Sequence, residues 1–378
     1  MTTPVPFKVA FLPWAGLETE VRVGPVRFLP LEAWFQAVQA DAATQVFWRR
    51  YAACHIDLGG QPIKSLACAV VDGATFGQIS DRHLTWIRRA CDAVAASYLL
   101  AGWVGRALPT NRRPGSTSIA SPDHFQLAIK SFSPSDTEAS ITSGGGMSCW
   151  PLDELRLQRP AHIHSSWCAA PDQELLTGLG RIIRAQPSNS LASQIWASLE
   201  WLRLAYGGGD FVSGGSRLVM LMTAFEHLLA DFKGSGHGGG EIKEAWKNLV
   251  QQHLQHERLK TIKHDFKRGG VHPIPIPQQW FLRFFDLRSV IVHGQPLKRG
   301  VGHYQKHPHL ILAPIFFWLG LKARLANKGL MPSSPSDPLR RAMKRLTGQT
   351  WTKTSVLKHD LHHDCRRVYQ ALGWLKKR

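Results

Sequence analysis

The sequence predicts an α+β chain of two domains: a mixed α/β N-terminal module, then an all-α helical bundle that ends in a basic helical tail. Three observations carry this expectation. The chain has 378 residues, more than one ordinary hydrophobic core accommodates. Its texture changes near Pro171, from short apolar runs broken by Pro and Gly to apolar residues at helical spacing. Its charge is uneven: of a formal net charge of +19, residues 1–150 carry +2 and residues 151–378 carry +17. The expected boundaries are 1–160 for the first module, 171–330 for the bundle, and 331–378 for a Pro/Ser linker and the tail.

In the first module, 7–12, 20–23 and 26–29 read as short strands punctuated by Pro and Gly. Segments 31–38 and 42–51 read as helices and 66–71 as a buried strand. Asp81 is the expected N-cap of a helix over 82–100, where Leu84, Ile87, Cys91, Val94 and Tyr98 recur at helical spacing. Residues 111–122 read as a polar loop, 125–132 alternate like a strand, and 133–146 read as a second polar, Gly-rich stretch. No motif in this half names a chemistry.

After Pro171 the pattern is helical almost throughout. Helices are expected over 174–185, 191–206, 217–232, 241–254, 277–293 and 310–325. The strongest amphipathic stripe is Leu218, Leu221, Met222, Phe225, Leu228 and Leu229. Two short basic helices are expected near 339–346 and 355–376.

Composition excludes several classes. Hydrophobic residues make up 44 %, with 14 Trp and 17 Phe, so the chain can bury a core and is not a disordered polymer. Lys and Arg number 46 against 27 Asp and Glu, an excess that solubility does not require and that suits a polyanionic partner, most simply nucleic acid. Six cysteines form no C-x-x-C pair, which argues against a zinc ribbon or a disulfide scaffold and fits a reducing cytoplasm. The start, MTTPVPFKVAFLPWAG, lacks the charged and apolar regions of a signal peptide. The apolar run 310–321 is too short to span a bilayer, so no membrane is expected.

The segment 277–294, PQQWFLRFFDLRSVIVHG, carries the candidate chemistry. On a helical wheel Trp280, Phe281, Phe284, Phe285, Leu287, Ile291 and Val292 fill one broad apolar arc. Asp286, Ser289 and His293 line the other side. Arg288 falls near the centre of the apolar arc, where a permanent charge requires a partner or a wet cleft. Glu226, on the amphipathic helix upstream, is an available partner. Gly294 is a natural residue to follow a helix end, which places His293 at the C-terminus, where the helix dipole favours a cation. An arginine paired across a helix interface and a histidine capping a helix also have a purely structural explanation.

Arg288-Ser-Val-Ile-Val-His293-Gly294, late in a helical region, has the form R-polar-x3-H-G. Trp196-x4-Trp201 and the helix containing Phe225-Glu226 lie upstream. This combination resembles the HEPN superfamily, in particular its ApeA-like branch, over about residues 190–325. Ser289 stands where that family usually has Asn. The resemblance implies a metal-independent ribonuclease that needs no cofactor and works as a homodimer through the helical domain, in a defence or toxin system with an antitoxin or trigger protein. In it Arg288 would hold the scissile phosphate. His293 would serve as general acid and base while a 2′-hydroxyl attacks the adjacent phosphorus. Ser289 would donate to the phosphate, with Asp286 and Glu226 as accessory groups. Arg288 and His293 are about 140° apart on a regular helix. Both therefore face one phosphate only if the last turn unwinds or two copies of the helix meet. Without catalysis, the same scaffold would be a nucleic-acid-binding or sensor protein.

The tail adds Arg340, Arg341, Lys344, Arg345, Arg366 and Arg367, interleaved with Trp351, Tyr369 and Trp374. Basic clusters with aromatics suit backbone neutralisation with base stacking. His303, His307 and His309, and the group His359, Asp360, His362, His363 and Asp364, are weaker candidates for metal binding, the former because Pro308 argues for a loop. The string 234–240, GSGHGGG, lacks the Lys-Ser/Thr of a phosphate-binding loop and reads as a flexible connection.

Overall fold

A computed structural model describes residues 7–331 except 64–65, 76, 108–119, 134–135, 144–145, 162, 164–170, 187, 210–211, 231–238, 255–260, 267–269, 296–302 and 305–306. The basic cluster of the tail, its aromatics and the histidines at 359–363 lie outside the described residues, as does 234–238 of the Gly-rich string.

The N-terminal half contains β1 (Phe7–Leu12), β2 (Val21–Val23), β3 (Val26–Pro30), α1 (Leu31–Val38), α2 (Ala42–Ala53), β4 (His55–Ile56), β5 (Ala67–Val71), α3 (Asp81–Ala107), β6 (Ala128–Phe132), β7 (Glu138–Ser143), β8 (Gly146–Pro151) and β9 (Leu157–Gln158). Five of these strands form an antiparallel sheet in the order β2-β3-β5-β1-β6. The two-residue period of the strands splits their side chains between two cores. Val9, Phe11, Leu29, Cys68 and Phe132 pack under α1 and α2 with Trp34, Phe35, Phe47, Trp48 and Tyr51. Ala10, Leu12, Val26, Phe28, Ala69 and Val71 face the opposite way, toward α3.

The C-terminal half contains α4 (Gln173–Gly180), α5 (Ser190–Tyr206), α6 (Gly214–Leu229), α7 (Gly239–Leu254), β10 (Thr261–Phe266), β11 (Gly270–Pro275), α8 (Ile276–Val292), β12 (His303–Tyr304), β13 (His307–Pro308) and α9 (His309–Asn327). The protein is thus of mixed α and β structure. One buried cluster runs from the second face of the sheet through α3 into α4, α5, α6, α8 and α9. By length and composition α9 is able to cross a membrane, yet 89 % of its apolar window is buried inside the protein, the environment of a core helix.

Several elements differ from the sequence expectation. The second half is not helical throughout, because β10 and β11 form an antiparallel hairpin with Thr261 opposite Pro275 and Phe266 opposite Gly270. Pro273 and Pro275 disfavour a helix there. The polar stretch expected over 133–146 contains β7 and pairs with β8. The helix expected over 82–100 starts one residue earlier: Ser80 Oγ accepts from the His83 backbone N–H at 3.2 Å, so Ser80 rather than Asp81 caps it. The helix expected over 174–185 stops at Gly180. A side chain at Gly180 would lie 2.5 Å from the Gly24 nitrogen, and one at Gly24 would lie 2.6 Å from the Gly180 oxygen. Two glycines therefore let the end of α4 dock directly on the turn between β2 and β3.

Candidate active site

The N-terminal half of α8 is clamped in an aromatic core. Trp280, Phe281, Phe284 and Leu287 are buried. Phe281 stacks on Trp246 of α7 with centroids 4.8 Å apart and meets Phe225 of α6 edge-on at 5.5 Å. Trp280 lies 4.3 Å from Phe316 of α9. Trp246 Nε1 donates to the Pro277 carbonyl at 3.1 Å. Aromatic pairs of this kind add to the area they bury, so the helix that carries the candidate residues rests on a firm base.

Its last turn leaves that core. Ile291 is half-buried, while Val292, Ser289 and His293 are exposed. The end follows the Schellman pattern. His293 is the C-cap, Gly294 has φ 63°, the Gly294 N–H donates to Ile291 O at 3.1 Å, and the Gln295 N–H donates to Val290 O at 3.0 Å. The His293 N–H still donates to Ser289 O at 3.1 Å, which is regular α-helical spacing. The turn has not unwound, so within one chain Arg288 and His293 keep their wide angular separation.

Arg288 is half-buried, and its Nη1 meets Glu226 Oε1 of α6 at 3.0 Å. The partner that the amphipathic pattern offered is the one it has. The Arg288 Nε is shielded from solvent and has no hydrogen-bond partner among the described residues. Asp286 is exposed and bonds Lys243 Nζ of α7 at 2.8 Å, so this carboxylate is engaged away from Arg288. Lys243 also lies over the Phe285 ring at 4.9 Å.

The N-terminal turn of α6 was not singled out in the sequence. A side chain added at Gly215 would sit 3.7 Å from Ile291 Cγ2, so this turn lies against the exposed end of α8. Ser213 caps it by accepting from the Ser216 N–H at 3.1 Å. A helix start of this kind presents backbone donors and the positive end of a dipole to an anion. The signal for it, Ser-Gly-Gly-Ser before an apolar stripe, is readable as a cap, but its proximity to α8 is not.

His309 opens α9 and is buried, stacked on Phe284 with centroids 5.5 Å apart. His303 and His307 sit in the short β12–β13 bridge. Among the described residues, no three His, Cys, Asp or Glu side chains gather as a metal site requires. Compared with protein-family models, curated proteins and solved structures, the chain matches none of them.

Proposed function

We propose that the chain is an endoribonuclease of HEPN type, acting on RNA in the cytoplasm as a homodimer. The role we assign it is in a defence or toxin system held in check by an antitoxin or released by a trigger protein. The observation that carries this reading is the placement of one fixed cation and one imidazole at the solvent end of α8. Arg288 reaches solvent from an interface while His293 caps the helix in the open. Arg288 would bind the scissile phosphate and stabilise its transition state. His293 would take the proton of the 2′-hydroxyl as the 2′-oxygen bonds to phosphorus, then return a proton to the departing 5′-oxygen. Ser289, exposed on the same turn, would donate to a phosphate oxygen. The products are a 2′,3′-cyclic phosphate and a 5′-hydroxyl, and no metal is required in this scheme.

The regular last turn bears on the assembly. A single copy presents the two side chains about 140° apart, so a composite site needs a second copy supplying the complementary residue. The exposed Val292 beside them suits such a contact.

A second reading is a non-catalytic RNA-binding or sensor protein on the same scaffold. The Arg288–Glu226 pair favours it, because a neutralised guanidinium binds phosphate less strongly. The two are separated by incubating the purified chain with end-labelled RNA. Fragments ending in cyclic phosphate support the nuclease, whereas salt-dependent binding of intact RNA supports the second reading.

A further inference from the structure

A second candidate site, sharing no residue with this chemistry, lies inside the N-terminal sheet. β1 pairs with β6 over five residues, and β3 with β5 over five, but β1 and β5 pair only at Phe11–Cys68 and Leu12–Ala67. Beyond those pairs the two strands part. The segment leaving β5 curls back, and Gly77 O accepts from the Lys8 backbone N–H at 3.0 Å. A cavity of about 280 Å³ opens between the parted strands.

The cavity passes between the two faces of the sheet. Trp34 and Val38 of α1 wall it on one side, Ile87 of α3 on the other, with Val70 and Ile79 between them. Its polar groups are Lys8, Gln39, Thr75, Gln78 and His83. No acidic residue lines it among the described residues. The Nδ1 of His83 is buried without a hydrogen-bond partner among the described residues. Gln39 is the one non-glycine residue with positive φ among them, at 51°. Such a conformation costs energy and persists where its surroundings enforce it.

We propose that this cavity binds a small organic anion: one flat apolar ring held between Trp34, Val38 and Ile87, and one anionic head held by Lys8 and the polar groups near the start of α3. The physical grounds are sign and size. An ammonium and an imidazole face a space lined by no carboxylate, which favours negative charge. The volume of about 280 Å³ lies just below the roughly 300–1,000 Å³ of ligand pockets, which fits a single ring with its head group and excludes a nucleic-acid strand. The two halves of the chain share a buried cluster that includes Val71 and Ile87, so a ligand here braces the sheet against α3.

The test is isothermal titration of the full chain with sodium benzoate, phenyl phosphate and the neutral benzamide. Saturable binding of at least one anion, about tenfold or more tighter than benzamide, is expected. The tighter of the two anions identifies the head group as carboxylate or phosphate. Lys8→Gln, at an exposed side chain, is expected to weaken that binding about tenfold. Ala74→Trp, which fills the rim, is expected to abolish it while circular dichroism stays unchanged. The proposal is overturned if neither anion binds, if benzamide binds as tightly, or if affinity survives both substitutions in folded protein.

Discussion

Arg288 on α8 and Glu226 on α6 meet at 3.0 Å, with 36 % of the arginine side chain and 22 % of the glutamate in contact with solvent. An ion pair this open contributes about 0–1 kcal/mol to folding. It therefore does little for stability, while it holds a cation at the edge of the exposed end of α8. If RNA phosphate competes with Glu226 for that cation, removing the carboxylate charge strengthens RNA binding. Glu226→Gln is expected to tighten RNA affinity several-fold, with unfolding free energy changed by no more than about 1 kcal/mol. Filter binding and urea denaturation measure the two quantities. Weaker binding in this variant would show that Glu226 orients Arg288 rather than competing for it.

The composite-site argument predicts complementation. In a dimer where Arg288 of one copy works with His293 of the other, Arg288→Ala and His293→Ala are each inactive alone. Mixed in equal amounts and allowed to exchange, half the dimers are heterodimers with one intact site. Cleavage then returns to about a quarter of the wild-type rate. No recovery on mixing places both residues in one copy's site.

The contact between Gly24 and Gly180 holds the β2–β3 turn against α4. Gly180→Ala sets a methyl group 2.5 Å from the Gly24 nitrogen. Because the obstacle is backbone, it does not yield as a side chain would. A destabilisation of about 1–3 kcal/mol is expected, read as a lower midpoint in urea. An unchanged midpoint would mean that α4 and the turn move apart freely.

Acid stability should depend on His55. The ring is buried against Phe11, Trp14 and Tyr51, and burial lowers its pKa from 6.5 to about 4. The unfolded chain takes up this proton near 6.5 and the folded chain only near 4. Stability from this group is thus complete above pH 6.5 and is lost as pH falls toward 4, by about 3 kcal/mol. His55→Gln should flatten the stability curve over that window relative to wild type. Parallel curves for the two proteins would contradict the assignment.

The legible parts of this molecule are local. Gly294 marks the end of α8 because only a residue at ease with positive φ closes a Schellman turn, and its φ of 63° bears that out. The arginine in an apolar arc required a partner or a wet cleft, and Glu226 on α6, the partner available in sequence, is the one it meets. Less legible was anything set by distant packing. The Asp286–Lys243 bond spans 43 residues, and neither residue carries a local sign of it. The β10–β11 hairpin is exposed along most of its length, so it leaves no buried alternation to read. Ser80 and Asp81 are both good capping residues in sequence, and only the hydrogen bond to His83 distinguishes them. The parting of β1 and β5 is a property of the sheet as a whole, invisible in either strand.

The most direct measurement of the central claim is cleavage of generic RNA by the purified full chain in EDTA, compared with Arg288→Ala and His293→Ala. We expect wild type to cut and both variants to lose about a hundredfold or more of the rate while their circular dichroism is unchanged. Intact RNA after prolonged incubation with wild type, or cutting that persists in both variants, would contradict it.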